Sequence, residues 1–150
     1  MQAAPDRSLY VEFIGDSITE NWYTFHHDFF DKNNFIARGI GGQTTISILC
    51  RFRQDVVKNK PKVVAIMCGI NDVAQNDGVM EYEDLLDNVV AMCDQAKANG
   101  INAVCMFLGN FGPEGPTTLF VQKFGGPAMV IAAKEEGKAN LANDRGDALC

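Results

Sequence analysis

Six consecutive apolar residues, Val63-Val64-Ala65-Ile66-Met67-Cys68, constrain this chain more than any other feature. A strand with one wet face alternates apolar and polar side chains. An unbroken run of this length, bounded by Pro61 and Gly69, fits a strand covered on both faces, the usual state of a parallel sheet. The flanking patterns agree. The apolar run 9–14 reads as a first strand, followed by a helix beginning near Ser17 whose buried face draws on Ile18, Trp22, Phe25, Phe29 and Phe30. A short strand falls near Phe35-Ile36-Ala37, and Thr44 or Thr45 can cap a helix in which Ile48, Leu49, Phe52 and Val56 recur at helical spacing. The clearest helix covers about residues 81–98: Tyr82, Leu85, Leu86, Val89, Met92, Cys93 and Ala96 form one stripe, acidic residues crowd its first turn, and Gly100 stops it. Residues 101–108 read as a further strand. Alternating strands and helices predict a three-layer α/β sandwich around a parallel sheet.

A length of 150 residues suits one domain with a core of its own. The pattern divides it into an extended or disordered N-terminus over 1–8, a core over 9–108, and a segment over 109–150 of different character. Gly109–Pro116 is rich in glycine and proline, Gly125-Gly126-Pro127 follows, and Ala128–Cys150 is small, charged and weakly periodic, with at most one helix near 128–142. Two readings of 109–150 stay open: a divergent cap, or the product of truncation or a shifted reading frame. The first reading predicts a cooperative fold; the second predicts early proteolysis between Gly109 and Pro127.

The net charge of −6 disfavours nucleic acid and anionic membrane surfaces as partners and leaves small neutral or cationic substrates open. Five widely spaced cysteines, Cys50, Cys68, Cys93, Cys105 and Cys150, include no Cys-x-x-Cys pair and fit buried thiols better than disulfides or a zinc site. No apolar run approaches the roughly twenty residues of a membrane span, and Met1–Ser8 has no signal-peptide pattern. The expected setting is therefore cytoplasmic, or secreted if a leader has been removed.

Three short signals sit where a strand gives way to a helix: Gly15–Thr19 (GDSIT), Gly39–Thr45 (GIGGQTT) and Gly69–Asp72 (GIND). In a parallel sheet those junctions share one edge, which is where such sheets carry their chemistry. Ser17 is a candidate nucleophile whose place at a helix start turns its backbone N–H toward developing negative charge. Plainer roles stand beside this. Ser17 can be an N-cap, the glycines a tight turn or a phosphate cradle, and Asn71-Asp72 a turn with Asp72 as a cap. The acidic balance and the lack of a P-loop lysine weigh against nucleotide binding. Asp16 fits loop orientation by hydrogen bonding better than acid catalysis, and Trp22 fits the core.

In these three blocks the chain resembles the GDSL or SGNH hydrolases over roughly residues 9–108. The resemblance implies a flavodoxin-like strand order 2-1-3-4, with a fifth strand in complete members, and hence a sheet apparently incomplete at the C-terminus here. It implies hydrolysis of carboxylic esters without metal or organic cofactor: Ser17 attacks, and the backbone N–H of Gly42 and the side-chain amide of Asn71 join the Ser17 N–H as oxyanion donors, with Asp16 and Asp72 in support. The motif style is closest to members acting on short acyl groups, such as O-acetyl esters. The family's fourth block, Asp-x-x-His near the C-terminus, has no match, and the two histidines are His26 and His27. On an unbroken helix from Ser17, His26 lies ~13 Å along at about 1.5 Å per residue, out of hydrogen-bond reach of the serine. Two other functions stay open: a non-catalytic or fragmentary relative that binds an acylated ligand or partner, and a flavodoxin-like cofactor binder, which fits the topology but not the motifs.

Overall fold

The computed structural model describes residues 10–108, 128–133 and 139–143. Its elements run β1 (Val11–Gly15), α1 (Ser17–Asn33), β2 (Ile36–Gly39), α2 (Thr45–Phe52) continued by a π-helical turn over Arg53–Val57, β3 (Val63–Met67), the short α3 (Ile70–Val73), α4 (Tyr82–Ala98), β4 (Asn102–Leu108), β5 (Ala128–Ala133) and β6 (Ala139–Asn143). They build one sheet of order β2-β1-β3-β4-β5-β6. Pairings from β2 to β5 are parallel, and β6 returns antiparallel to β5. The α/β class and the 2-1-3-4 order expected from the motifs are those observed.

Parity explains how the apolar run of β3 is used. Successive side chains point to opposite faces, so Val64 and Ile66 join Ile14, Ile48, Phe52, Leu85, Leu86, Val89 and Met92 in the core beneath α2 and α4. Ala65 and Met67 point the other way, with Met106, toward Phe13, Ile18 and Trp22 on the α1 side. A polar residue at any of these β3 positions would be buried on one face or the other.

Two expectations are corrected. The predicted buried face of α1 included Phe25 and Phe29, yet these are 74% and 40% exposed, while Phe30 is fully buried. For Phe29 the cause is a break at His26, whose dihedrals (φ −136°, ψ 38°) leave the helical region and reset the phase of the residues beyond it. Phe30 then meets Phe13 edge-on at 5.4 Å, and Phe29 stacks on Trp22 at 5.5 Å. The second correction concerns 128–142, where strands β5 and β6 stand in place of at most one helix. The apolar run Ala128–Ala133 is too short for a stable helix yet of ordinary strand length. With β5 parallel to β4, it occupies the fifth-strand place. The expected cleavage region between Gly109 and Pro127 lies outside the described residues.

Candidate active site at the strand ends

The carboxyl ends of β2, β1 and β3 lie side by side, with Gly39 paired to Gly15 and Gly15 to Met67. From β1 the chain turns at Asp16, the N-cap of α1, whose Oδ1 accepts the Ile18 N–H at 2.9 Å. The sequence left Ser17 as a possible N-cap; Asp16 takes that role, and Ser17 is the first helical residue. Its hydroxyl is therefore not committed to satisfying the helix's orphan N–H groups. Asp16 is buried, with its Oδ2 unpartnered among protein atoms. Burial, above all, raises its pKa, the Ile18 N–H lowers it, and the Asp72 charge raises it further.

The second block wraps around the start of α1. A Cβ on Gly39 would stand 2.1 Å from the Glu20 nitrogen, so only glycine lets β2 end this close to the helix. A Cβ on Gly41 would meet the Glu20 carboxylate at 2.7 Å and the Ser17 Cβ at 3.7 Å, which places Gly41 against Ser17. Gly42 has φ +78° with open space around it: its requirement for glycine is conformational rather than steric.

The third block is tied directly to the second. Asn71 donates from Nδ2 to the Gln43 carbonyl at 2.9 Å, and its Oδ1 accepts from Asn76 Nδ2 at 2.6 Å. The amide is thus held by both ends, one peptide beyond Gly42, and one Nδ2 hydrogen remains beyond the bond to Gln43. Asp72 points to α2. It caps α2, accepting the Thr45 N–H at 2.9 and 3.2 Å and the Thr45 hydroxyl at 2.6 Å, while Asn88 of α4 donates to that same hydroxyl at 3.0 Å. The cap of α2 is therefore supplied from another strand end, 27 residues away, and Thr44, at the N-cap position, makes no side-chain cap bond.

Two residues went unrecognised at the sequence level. Arg51 of α2 donates to the Gly15 carbonyl at 3.0 Å, the Arg38 carbonyl at 2.8 Å, Gln43 Oε1 at 2.7 Å and Asp55 Oδ2 at 2.7 Å, joining both strand ends to the glycine loop. The only trace in sequence is a cation in the last turn of α2, where cations are common for ordinary dipole reasons. Glu20 stands against Gly39 and Gly41, and nothing distinguishes it in sequence from a first-turn acid.

Elsewhere on α1, His26 and His27 are exposed at and beyond the helix break, lining a hollow with Phe25, Phe29 and Lys32. His27 Nε2 lies 3.2 Å from Asp28 Oδ1, with both side chains well in solvent. Ser17, Gly42 and Asn71 thus belong to neighbouring strand-to-helix junctions, and the histidines to the second half of α1. Among the described residues no group of three or more His, Cys, Asp or Glu is placed to hold a metal ion. No described helix is long and apolar enough to cross a membrane.

Known proteins are similar to this chain in sequence and fold. An inferred acylhydrolase from Bacteroides fragilis is 32% identical, with a TM-score of 0.74, the match covering 92% of this chain and 77% of that one. A GDSL-like lipase from Bacteroides thetaiotaomicron is 40% identical with a TM-score of 0.66, over 71% of this chain and 51% of that one. An acetyl-xylooligosaccharide esterase from Geobacillus shares the fold at 16% identity and a TM-score of 0.65. Among curated proteins, YqeF, an uncharacterised lipoprotein of Bacillus subtilis, is 35% identical over 76 residues. The chain spans 31% of the length of YqeF and 51% of the B. thetaiotaomicron lipase. The family model described as Fucose/sulfoquinovose isomerase, N-terminal domain, matches residues 46–150. That match begins at the second residue of α2, after Ser17, Gly42 and the whole of the first two blocks.

Proposed function

We propose a serine ester hydrolase on one premise: the chain belongs to the GDSL/SGNH hydrolase family, with residues 46–150 falling also within the family of the fucose/sulfoquinovose isomerase N-terminal domain. The acylhydrolase match covers 92% of the chain, whereas the isomerase match starts beyond Ser17. The site reading therefore follows the former.

The observation that carries the proposal is that Ser17 opens α1 free of the capping role taken by Asp16, with its Cβ against Gly41, while at the neighbouring strand end the Asn71 amide is held by Gln43 and Asn76. In this reading Ser17 Oγ attacks the acyl carbon, and the carbonyl oxygen takes up the electron pair. The Ser17 and Gly42 N–H groups and the remaining Nδ2 hydrogen of Asn71 receive that oxyanion; one such donor is typically worth on the order of a hundredfold to a thousandfold in rate. The alcohol departs with a proton, and water then releases the acid from the acyl-serine. Asp16 and Asp72 act as supports, one shaping the start of α1 and the other clamping α2. The substrates proposed are short acyl esters, O-acetyl esters among them, and the esterase names among the fold's relatives support that class. The lipoprotein relative supports a secreted or lipid-anchored setting, the alternative that stood beside the cytoplasmic one at the sequence level.

The sequence contains no Asp-x-x-His. A serine without a neighbouring base is a weak nucleophile, so turnover of p-nitrophenyl acetate should fall far below that of a complete relative. Grafting a C-terminal Asp-x-x-His segment should raise it by orders of magnitude, and Ser17→Ala should abolish the gain. Brisk hydrolysis by the unaltered chain that survives Ser17→Ala would overturn the assignment. The same missing block favours one alternative, a binding domain for acylated ligands. It predicts ligand affinity that Ser17→Ala leaves intact and a graft that adds no turnover.

A further inference from the structure

Cys93 lies on the buried side of α4 and Cys105 in the middle of β4, on the strand against which that helix packs. Their sulfurs are 3.3 Å apart, close enough for one thiol to donate to the other. Cys105 is buried and Cys93 only partly so, which gives the pair one inner and one outer sulfur. Both are free thiols here, as are Cys50 and Cys68. None of the hydrolytic chemistry proposed above uses them.

We infer that Cys93 and Cys105 form a two-cysteine oxidation site that closes to a disulfide stapling α4 onto β4. The polarity of the pair suits the reaction. The hydrogen bond from Cys105 holds the Cys93 thiol below its ordinary pKa, while donating that bond, together with burial, holds Cys105 well above its own. The outer sulfur is thus the readier thiolate, which is the attacking form. With a low-molecular-weight disulfide such as oxidised glutathione as oxidant, the Cys93 thiolate attacks one of its sulfurs and expels a glutathione thiolate. Cys105 then yields its proton to solvent and attacks the Cys93 sulfur, expelling the second glutathione. The two protein thiols lose two electrons and two protons, and one glutathione disulfide becomes two thiols. The closed loop runs from Cys93 through the end of α4 and the Gly100 turn into the middle of β4. The staple would also hold α4 in place beneath Asn88, the residue that binds Thr45 under the candidate site.

The full-length chain, incubated with oxidised glutathione at mildly alkaline pH and trapped with N-ethylmaleimide, supplies the test. The expected product has lost about 2 Da, the two thiol hydrogens, and has two fewer alkylatable thiols than the five in the sequence. Tandem mass spectra should place the link between Cys93 and Cys105, and Cys93→Ser should abolish it. By loop-closure entropy the oxidised form should melt ~6–12 °C above the reduced one. A link to any other cysteine, a glutathione adduct persisting on Cys93, or both thiols staying alkylated would overturn the inference on the unaltered protein, independently of how any variant folds. An unchanged or lower melting temperature after closure would refute the stapling role.

Discussion

Glu12 offers the sharpest quantitative test of this structure. It lies in β1 with its side chain fully buried, two residues from Ile14 and on the same face of the strand. Its partners are few: Asn59 Nδ2 approaches its oxygens at 3.3 and 3.4 Å, and the Arg38 Nε lies 3.5 Å away on a side chain that is 44% exposed. Burial dominates and raises its pKa from 4.5 to about 7; Asn59 and Arg38 pull it down, and the Asp55 charge adds slightly to the rise. The folded state therefore binds this proton more tightly than the unfolded chain does. Below about pH 4.5 both states are protonated and the group costs nothing. Between about 4.5 and 7 the unfolded chain releases its proton first, so stability falls as pH rises, and above about 7 the loss is complete. At about 1.36 kcal/mol per pKa unit, discounted for solvent reaching the Arg38 side, the loss between pH 5 and 8 is ~1–2.5 kcal/mol. Glu12→Gln removes the titration and keeps an acceptor for Asn59. The measurement is urea unfolding of wild type and variant at pH 5 and pH 8. The change in stability between those pH values should differ by the stated amount, with the wild type losing more. Any fixed cost of burying an amide cancels in that double difference. A variant whose pH dependence parallels that of the wild type would refute the reasoning.

Asp72→Ala removes the acceptor of the Thr45 N–H and hydroxyl, leaving buried donors unpaired at about 1–3 kcal/mol each; urea unfolding should show a loss of ~3–5 kcal/mol, and a loss below ~1 kcal/mol would mean α2 is capped some other way. Gly39→Ala and Gly42→Ala separate two demands for glycine. The first drives a methyl into the Glu20 backbone and should cost ~3 kcal/mol or more, whereas the second meets open space and should cost only the ~1–2 kcal/mol of a left-handed backbone; equal costs in thermal melts would contradict the packing described here.

The sequence alone determined the class of fold and its parallel core, because an apolar run without polar interruption has no stable home except between two layers, and β3 is that run. It also determined where the candidate chemistry lies, since strand-to-helix junctions of a parallel sheet must share an edge; Gly15–Thr19, Gly39–Thr45 and Gly69–Asp72 could be placed together from their order alone. What it could not determine were interactions between residues far apart in the chain. Asp16 rather than Ser17 caps α1, and Asp72 caps a helix that begins 27 residues before it. Both outcomes depend on which carboxylate the packed sheet brings within about 3 Å of an orphan N–H, and several residues nearby had equal local propensity. Arg51 was invisible for the same reason: its carbonyl partners are generic backbone atoms, assembled only when β1 and β2 end beside α2. Phe30 is buried as expected, but the break at His26 leaves Phe29 partly exposed, because helical periodicity carries no information about where a helix loses phase. The strand at Ala128–Ala133 carries a signal of its own in Val130 and Ile131, but its place beside β4, and the strand at Ala139–Asn143, were decided by tertiary pairing.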